Sequence, residues 1–171
     1  MTHAARRARA SKAERCIAIL GAARDSVQAV LERTIDEVVY NEEYARGQGT
    51  SISTAIRYLI GTDDLFGPCD AVVFVLGDQP GIQTEAIDKV IDAWTDGAGI
   101  AMAQYHDRSG HPVLFDRQFW TQLIALDNEQ GGKEVIQRHQ DEVVYVPVDG
   151  TYPVDVDTEL DWRRLQEVWT G

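Results

Sequence analysis

An α/β fold with a mostly parallel sheet covered by helices is what this sequence predicts, and three observations carry the prediction. Short apolar runs alternate with helical patterns along the whole chain, the order that builds parallel strands joined through helices. One run, Val72-Val73-Phe74-Val75-Leu76, is continuously apolar, as a strand covered on both faces requires. That run stops at Gly77-Asp78-Gln79-Pro80, where the glycine frees the backbone and the proline ends the strand. Asp78 therefore falls just past a strand's carboxyl end, the edge at which open α/β sheets bind ligands.

At 171 residues the chain is long enough for one domain with a substantial core, read here as residues 1–171. With 44% hydrophobic and 26% charged residues it is neither a disordered tail nor a membrane protein, and no apolar run reaches bilayer-spanning length. A net charge of −12 disfavours nucleic acid and anionic lipid as partners. Cys16 and Cys69 are isolated and follow no signal peptide, which predicts reduced thiols in a cytoplasmic protein, with a single disulfide as the alternative.

Residues 2–15 are rich in Ala and Arg and predict a helix whose arginines form a solvated face. Residues 16–20 then predict a short buried strand, with Gly21 as its exit and residues 26–33 as a return helix. Another strand is expected at residues 38–40. It leads through a polar stretch to Gly47-Gln48-Gly49-Thr50-Ser51, ahead of the helical pattern Ile52, Ala55, Ile56, Leu59. A glycine-rich loop at a helix start suits an anion or nucleotide, because the first helical N–H groups point outward; a loop with a Ser or Thr cap is the plainer reading.

Beyond the central run, Ile87, Val90, Ile91 and Trp94 mark one face of a helix over residues 84–94, which Gly97 and Gly99 end. Residues 100–104 predict a strand, and residues 107–112 a turn into a strand at 113–115, a hairpin-like excursion. Within that turn His111 is either a ligand contact or a packing residue. Helices over 118–126 and 133–139 and a strand at 143–148 complete the alternation. In the final motif, Val154-Asp155-Val156-Asp157-Thr158, strand alternation puts Asp155 and Asp157 on one side, where they can share a cation. Asp157 or Thr158 also suits the cap of a last helix, with Asp161 in its first turn and Leu160, Leu165 and Val168 facing the core.

Two acidic clusters, Asp78 and the pair Asp155 and Asp157, each following a strand, can converge on one sheet edge and hold Mg²⁺. Mg²⁺ is bound by a few carboxylates plus substrate phosphate oxygens, so the pattern suits phosphate chemistry. The sequence has no Gly-x-Ser-x-Gly elbow, no His-Glu-x-x-His and no Cys/His zinc set, which removes support for hydrolases of those kinds.

Leu76-Gly77-Asp78-Gln79-Pro80, the earlier Gly47-to-Ser51 stretch, Gly110-His111-Pro112-Val113-Leu114-Phe115 and the distal Asp155-Val-Asp-Thr158 with Asp161 occur in an order that resembles MobA-like nucleotidyltransferases. The Leu-Gly-Asp-Gln-Pro form is most similar to the molybdenum cofactor cytidylyltransferase branch. The resemblance implies a Rossmann-like three-layer sandwich. It also implies transfer of a nucleoside monophosphate from CTP, or GTP in the sister branch, to a molybdopterin-type acceptor with release of pyrophosphate. By the same resemblance Asp78 and Asp157 are the catalytic positions and Asp78, Asp155 and Asp157 the Mg²⁺ ligands. Gly49, Ser51, Gln79, Pro80 and His111 become contacts to nucleotide or acceptor, and a homodimer or a molybdoenzyme becomes a possible partner.

One departure stands against these matches. The family opens with a strand and a glycine-rich loop of the type Leu-Ala-Ala-Gly-x-Ser-x-Arg-Met-Gly, and this sequence has no counterpart. Ser11-Lys12 lacks the glycines that let backbone amides surround phosphates, and Arg6, Arg7 and Arg9 lie on a helix. Without the usual first strand, residues 16–20 are expected either to pair directly with residues 72–76 or to leave a gap filled by another chain. Activity without that loop is one reading; a degenerate, non-catalytic nucleotide-binding or interaction protein is the second; a wrongly assigned start is the third.

Overall fold

The structure is a computed structural model and describes residues 1–22, 24–31, 34–127, 129 and 131–170. Eight helices and six strands alternate among these residues. The first helix, α1 (Thr2–Arg9), is shorter than the expected 2–15. Beyond it the Ser11 hydroxyl bonds back to the Ala8 carbonyl at 2.6 Å and Lys12 is drawn off to Asp88 and Asp92. Strand β1 (Ile17–Leu20), helix α2 (Arg24–Leu31) and strand β2 (Glu37–Tyr40) follow. The last two residues of the return helix expected over 26–33 lie outside the described residues. Helix α3 (Gln48–Gly61) buries Ile52, Ala55, Ile56 and Leu59, the face its pattern predicted.

A short helix α4 (Asp63–Phe66), not expected from the sequence, precedes β3 (Ala71–Phe74). Then come α5 (Thr84–Thr95), β4 (Ile100–Gln104) and β5 (Ser109–Asp116). The chain continues through α6 (Trp120–Ile124), α7 (Lys133–Arg138), β6 (Val143–Pro147) and α8 (Glu159–Thr170). The expectation for Val168 lies outside the described side chains.

The fold is the expected α/β sandwich, with parallel pairing of β1 with β2 and of β4 with β6. Strand β5 is antiparallel to both its neighbours, as a hairpin partner of β4 must be. The strands form two sheets, β1-β2 and β3-β5-β4-β6, rather than one. Strands β1 and β3 do not pair, and among the described residues no other strand of the chain lies between them. Direct pairing of residues 16–20 with 72–76 is therefore corrected. Each of these two strands keeps one open edge, and all four β3 residues are only half-buried. Strand β4, paired on both sides, buries its first four residues. The continuous apolar run thus placed a strand here, but the strand ends at Phe74, two residues short of the expected 76, and its cover was overestimated.

Both faces carry helices. On one, Ile52, Ile56 and Leu59 of α3 meet Leu123, Val135, Ile100, Val113 and Phe115, with Ile17 of β1 and Val72 and Phe74 of β3 packed on the same cluster. One core therefore serves both sheets. On the other face Ala86 and Val90 of α5 pack on Ala101, Ala103, Leu114 and Val146. A smaller cluster joins Ala4 of α1 to Ile82 and Ile87, and α1 lies against both α2 and α5. Cys16 and Cys69 are free thiols. No helix among the described residues is long and apolar enough to cross a membrane.

Candidate functional site

After β3 the backbone folds into two successive turns: the Gln79 N–H donates to the Leu76 carbonyl at 3.3 Å, and the Ile82 N–H to the Gln79 carbonyl at 3.2 Å. These turns send Gln79 fully inward and leave Asp78 with access to solvent. The inward amide is a hub. Its Nε2 donates to the Tyr152 hydroxyl at 2.7 Å and to Asp155 Oδ1 at 2.8 Å. A backbone bond runs alongside, from the Val156 N–H to the Asp78 carbonyl at 2.8 Å. The acidic segment is thereby tied to the end of β3.

Residues 151–157 have no regular secondary structure, which corrects the expectation that strand alternation aligns Asp155 with Asp157. Separate bonds to the Asp78 carbonyl and the Gln79 amide, rather than a ladder, fix the segment. Thr158 caps α8: its hydroxyl donates to Asp161 Oδ2 at 2.6 Å and accepts from the Asp161 N–H at 3.2 Å. Of the two capping candidates, Thr158 does this work, and its hydroxyl holds the Asp161 carboxyl below the usual carboxylate range.

Partial burial pushes the Asp78 carboxyl up, and the charges of Asp155 and then Asp157 push it further. The three carboxylates therefore share one electrostatic neighbourhood. Among the described residues no three His, Cys, Asp or Glu side chains converge as a ready-made metal cluster. The donor set still fits a hard divalent cation, since Mg²⁺ is held by one or two carboxylates with water and phosphate oxygens completing the shell.

His111 lies in β5 rather than in a turn, half-buried, and its carbonyl accepts the Tyr105 hydroxyl at 3.0 Å. Desolvation drives its imidazole down to about 4, with Asp155 pulling it back up and Lys133 adding to the fall. His111 is thus a neutral imidazole within electrostatic reach of Asp155. Buried Pro80 shares with Asp78 a cavity of about 400 Å³ whose other walls include Thr2 and Arg6 of α1 and Trp162 of α8.

Gly49 and Ser51 occupy a different place, the first turn of α3, which follows Gly47 at φ 121°. Asn41, itself buried, donates to the Thr50 and Ser51 hydroxyls at 2.8 and 3.0 Å. Through Asn41 this helix start borders a second cavity of about 430 Å³ at the carboxyl ends of β1 and β2, walled by Gly21, Tyr40 and Tyr44. The structure therefore brings Asp78, Gln79, Asp155, Asp157 and His111 into one neighbourhood and sets Gly49 and Ser51 beside another cavity. Sequence reasoning missed Tyr152 and Asn41. Neither stands in a periodic pattern, and the only local sign for Tyr152 is its position shortly before the acidic pair.

Against known families, the model of the MobA-like NTP transferase domain matches residues 1–143. The chain belongs to this family. The MobA-like match takes in Asp78, Gln79 and His111 and ends where β6 begins, so Asp155 and Asp157 lie beyond it. No curated protein sequence matches the chain. Among solved structures, Rv0371c of Mycobacterium tuberculosis H37Rv in complex with manganese is 27% identical, with a TM-score of 0.76 over 98% of this chain and 87% of that one. A nucleotidyl transferase from Methanothermobacter has 17% identity and a TM-score of 0.74 over 99% of this chain and 81% of that one. The synthetase of CMP-2-keto-3-deoxy-manno-octonic acid, complexed with CTP, has 9% identity and a TM-score of 0.70 over 99% of this chain and 87% of that one. The MobA-like domain thus shares its fold with nucleotidyltransferases that differ widely in sequence.

Proposed function

We propose that the chain is a nucleotidyltransferase of the CTP:molybdopterin cytidylyltransferase type. In that reaction an acceptor phosphate oxygen bonds to the α-phosphorus of CTP as the bond to the bridging oxygen breaks, and pyrophosphate leaves. Asp78, with Asp155 or Asp157, would hold Mg²⁺, which when bound supplies neutralisation of the phosphate charge. Gln79 keeps Asp155 beside Asp78, and Pro80 shapes the adjoining cavity. Neutral His111 faces the acceptor without adding charge. Gly49 and Ser51 approach the nucleotide from the α3 start. GTP is the alternative nucleotide, and the protein works in the cytoplasm as a single domain, alone, as a homodimer or with a molybdoenzyme.

The observation that carries this reading is the 2.8 Å bond by which Gln79 joins the Asp78 turn to Asp155 at the carboxyl end of β3. The Leu76-Gly77-Asp78-Gln79-Pro80 motif supports the cytidylyl branch, and the manganese complex of Rv0371c supports a divalent cation. A second reading, a non-catalytic nucleotide-binding or interaction protein, draws support from the open edges of β1 and β3. Calorimetric titration of CTP and GTP with Mg²⁺, followed by pyrophosphate release with a molybdopterin acceptor, separates the two. Turnover that Asp78→Ala abolishes supports the enzyme. Binding without turnover supports the second reading, and a parent chain that binds neither nucleotide overturns both nucleotide readings.

A further inference from the structure

We infer that Tyr152 is a positioning residue of this site, holding the Gln79 carboxamide so that its amide group fixes the Asp155 carboxylate beside the Asp78 turn. Both Nε2 hydrogens of Gln79 are committed, one to the Tyr152 hydroxyl at 2.7 Å and one to Asp155 Oδ1 at 2.8 Å. The cost of that arrangement is visible on the same side chain, because the buried Oε1 has no hydrogen-bond partner among the described residues. Turning the amide over would set Oε1 against the Asp155 carboxylate, so the orphaned oxygen is the consequence of serving Tyr152 and Asp155 together.

Tyr152 is itself held from several sides by the end of β4, the start of β5 and the turn between them. Its N–H donates to Asp107 Oδ1 at 2.9 Å, and the Arg108 guanidinium lies 3.9 Å over its ring. Tyr105 meets the ring edge-on at 5.5 Å between centroids. A Cβ on Gly110 would stand 2.3 Å from the ring, so glycine is the residue that lets the strand approach this closely. The ring is a fixed peg, and its hydroxyl is the one polar atom it presents to Gln79. The geometry thus links the β4-β5 turn through Tyr152 and Gln79 to Asp155.

The inference rests on the proposed function only where it concerns the cation, and the test separates the two. Side-chain amide exchange of Gln79 is followed by NMR on the full chain, with signals assigned through their loss in Gln79→Met. Mn²⁺ affinity is followed by water-proton relaxation. Tyr152→Phe keeps the ring and removes the hydroxyl; the expected result is Gln79 amide exchange about tenfold faster and Mn²⁺ affinity weakened about three- to tenfold. Tyr145→Phe, which loses an exposed hydroxyl on β6 outside the relay, should match the parent in both. Arg108→Ala, which loosens the peg and spares its hydroxyl, should move both readouts in the same direction by less, and it decides the matter should Tyr152→Phe fail to fold. Unchanged Gln79 exchange in a folded Tyr152→Phe overturns the inference. A parent chain that does not bind Mn²⁺ overturns the metal-dependent reading above, and Gln79 exchange then decides the relay alone.

Discussion

The Gln79 carboxamide nitrogen donates to the Asp155 carboxylate at 2.8 Å across 76 positions of sequence. Gln79 is fully buried whereas Asp155 is exposed, so the two ends of this bond differ in what their loss costs. Gln79→Ala removes two hydrogen bonds and leaves a cavity, an expected loss of about 2–4 kcal/mol. Asp155→Ala leaves the amide with Tyr152 as its remaining partner and gives water access to the vacated place, an expected loss of about 1 kcal/mol. Urea denaturation of both variants checks the ranking; an equal or reversed order would show that Gln79 does not depend on burial for its role.

The division of the strands into two sheets has a dynamic consequence. Amides of β4, which is paired on both sides, should exchange only through global opening, whereas amides of β1 and β3 that point to the open edges lack a ladder partner among the described residues. Hydrogen exchange read at single residues should therefore rank β4 slowest and show alternating fast and slow positions along β3 from Ala71 to Phe74. Uniform protection along β3 would mean that its open edge is covered in solution.

How much of this was legible in the sequence depends on the range of the interaction that decides each element. The apolar faces of α3 and α5 and the strand at 100–104 follow from spacing alone, and the structure has them where spacing puts them. Strand β5 begins at Ser109, ahead of the expected 113, although Gly110 and Pro112 disfavour a strand locally. Tertiary context overrides them: Gly110 lies under the Tyr152 ring, and Pro112 is fully buried. Asp78 and Gln79 were legible because a strand end announces itself. Tyr152 was not, since nothing near residue 152 encodes a contact with residue 79, and a period-2 reading of 154–158 supplied a strand that isolated bonds to the Asp78 carbonyl and the Gln79 amide replace.

His111 provides a prediction about pH whose sign follows from burial. Its folded value of about 4 lies below the ordinary 6.5, so the unfolded chain takes up the proton first. Above pH 6.5 the imidazole is neutral in both states and adds no slope. As pH falls from 6.5 toward 4 the unfolded state gains a proton that the folded state refuses, and stability declines, by on the order of 3 kcal/mol in all; below 4 both states are protonated and the decline from this group ends. Denaturation midpoints in this window should flatten in His111→Gln. Because Asp155 pulls the imidazole upward, Asp155→Asn should lower the His111 midpoint further and carry the decline to lower pH. Proton NMR of the His111 ring follows that midpoint directly, and a ring that titrates near its ordinary value would show that the imidazole is hydrated in solution and remote from the buried side of the acidic site.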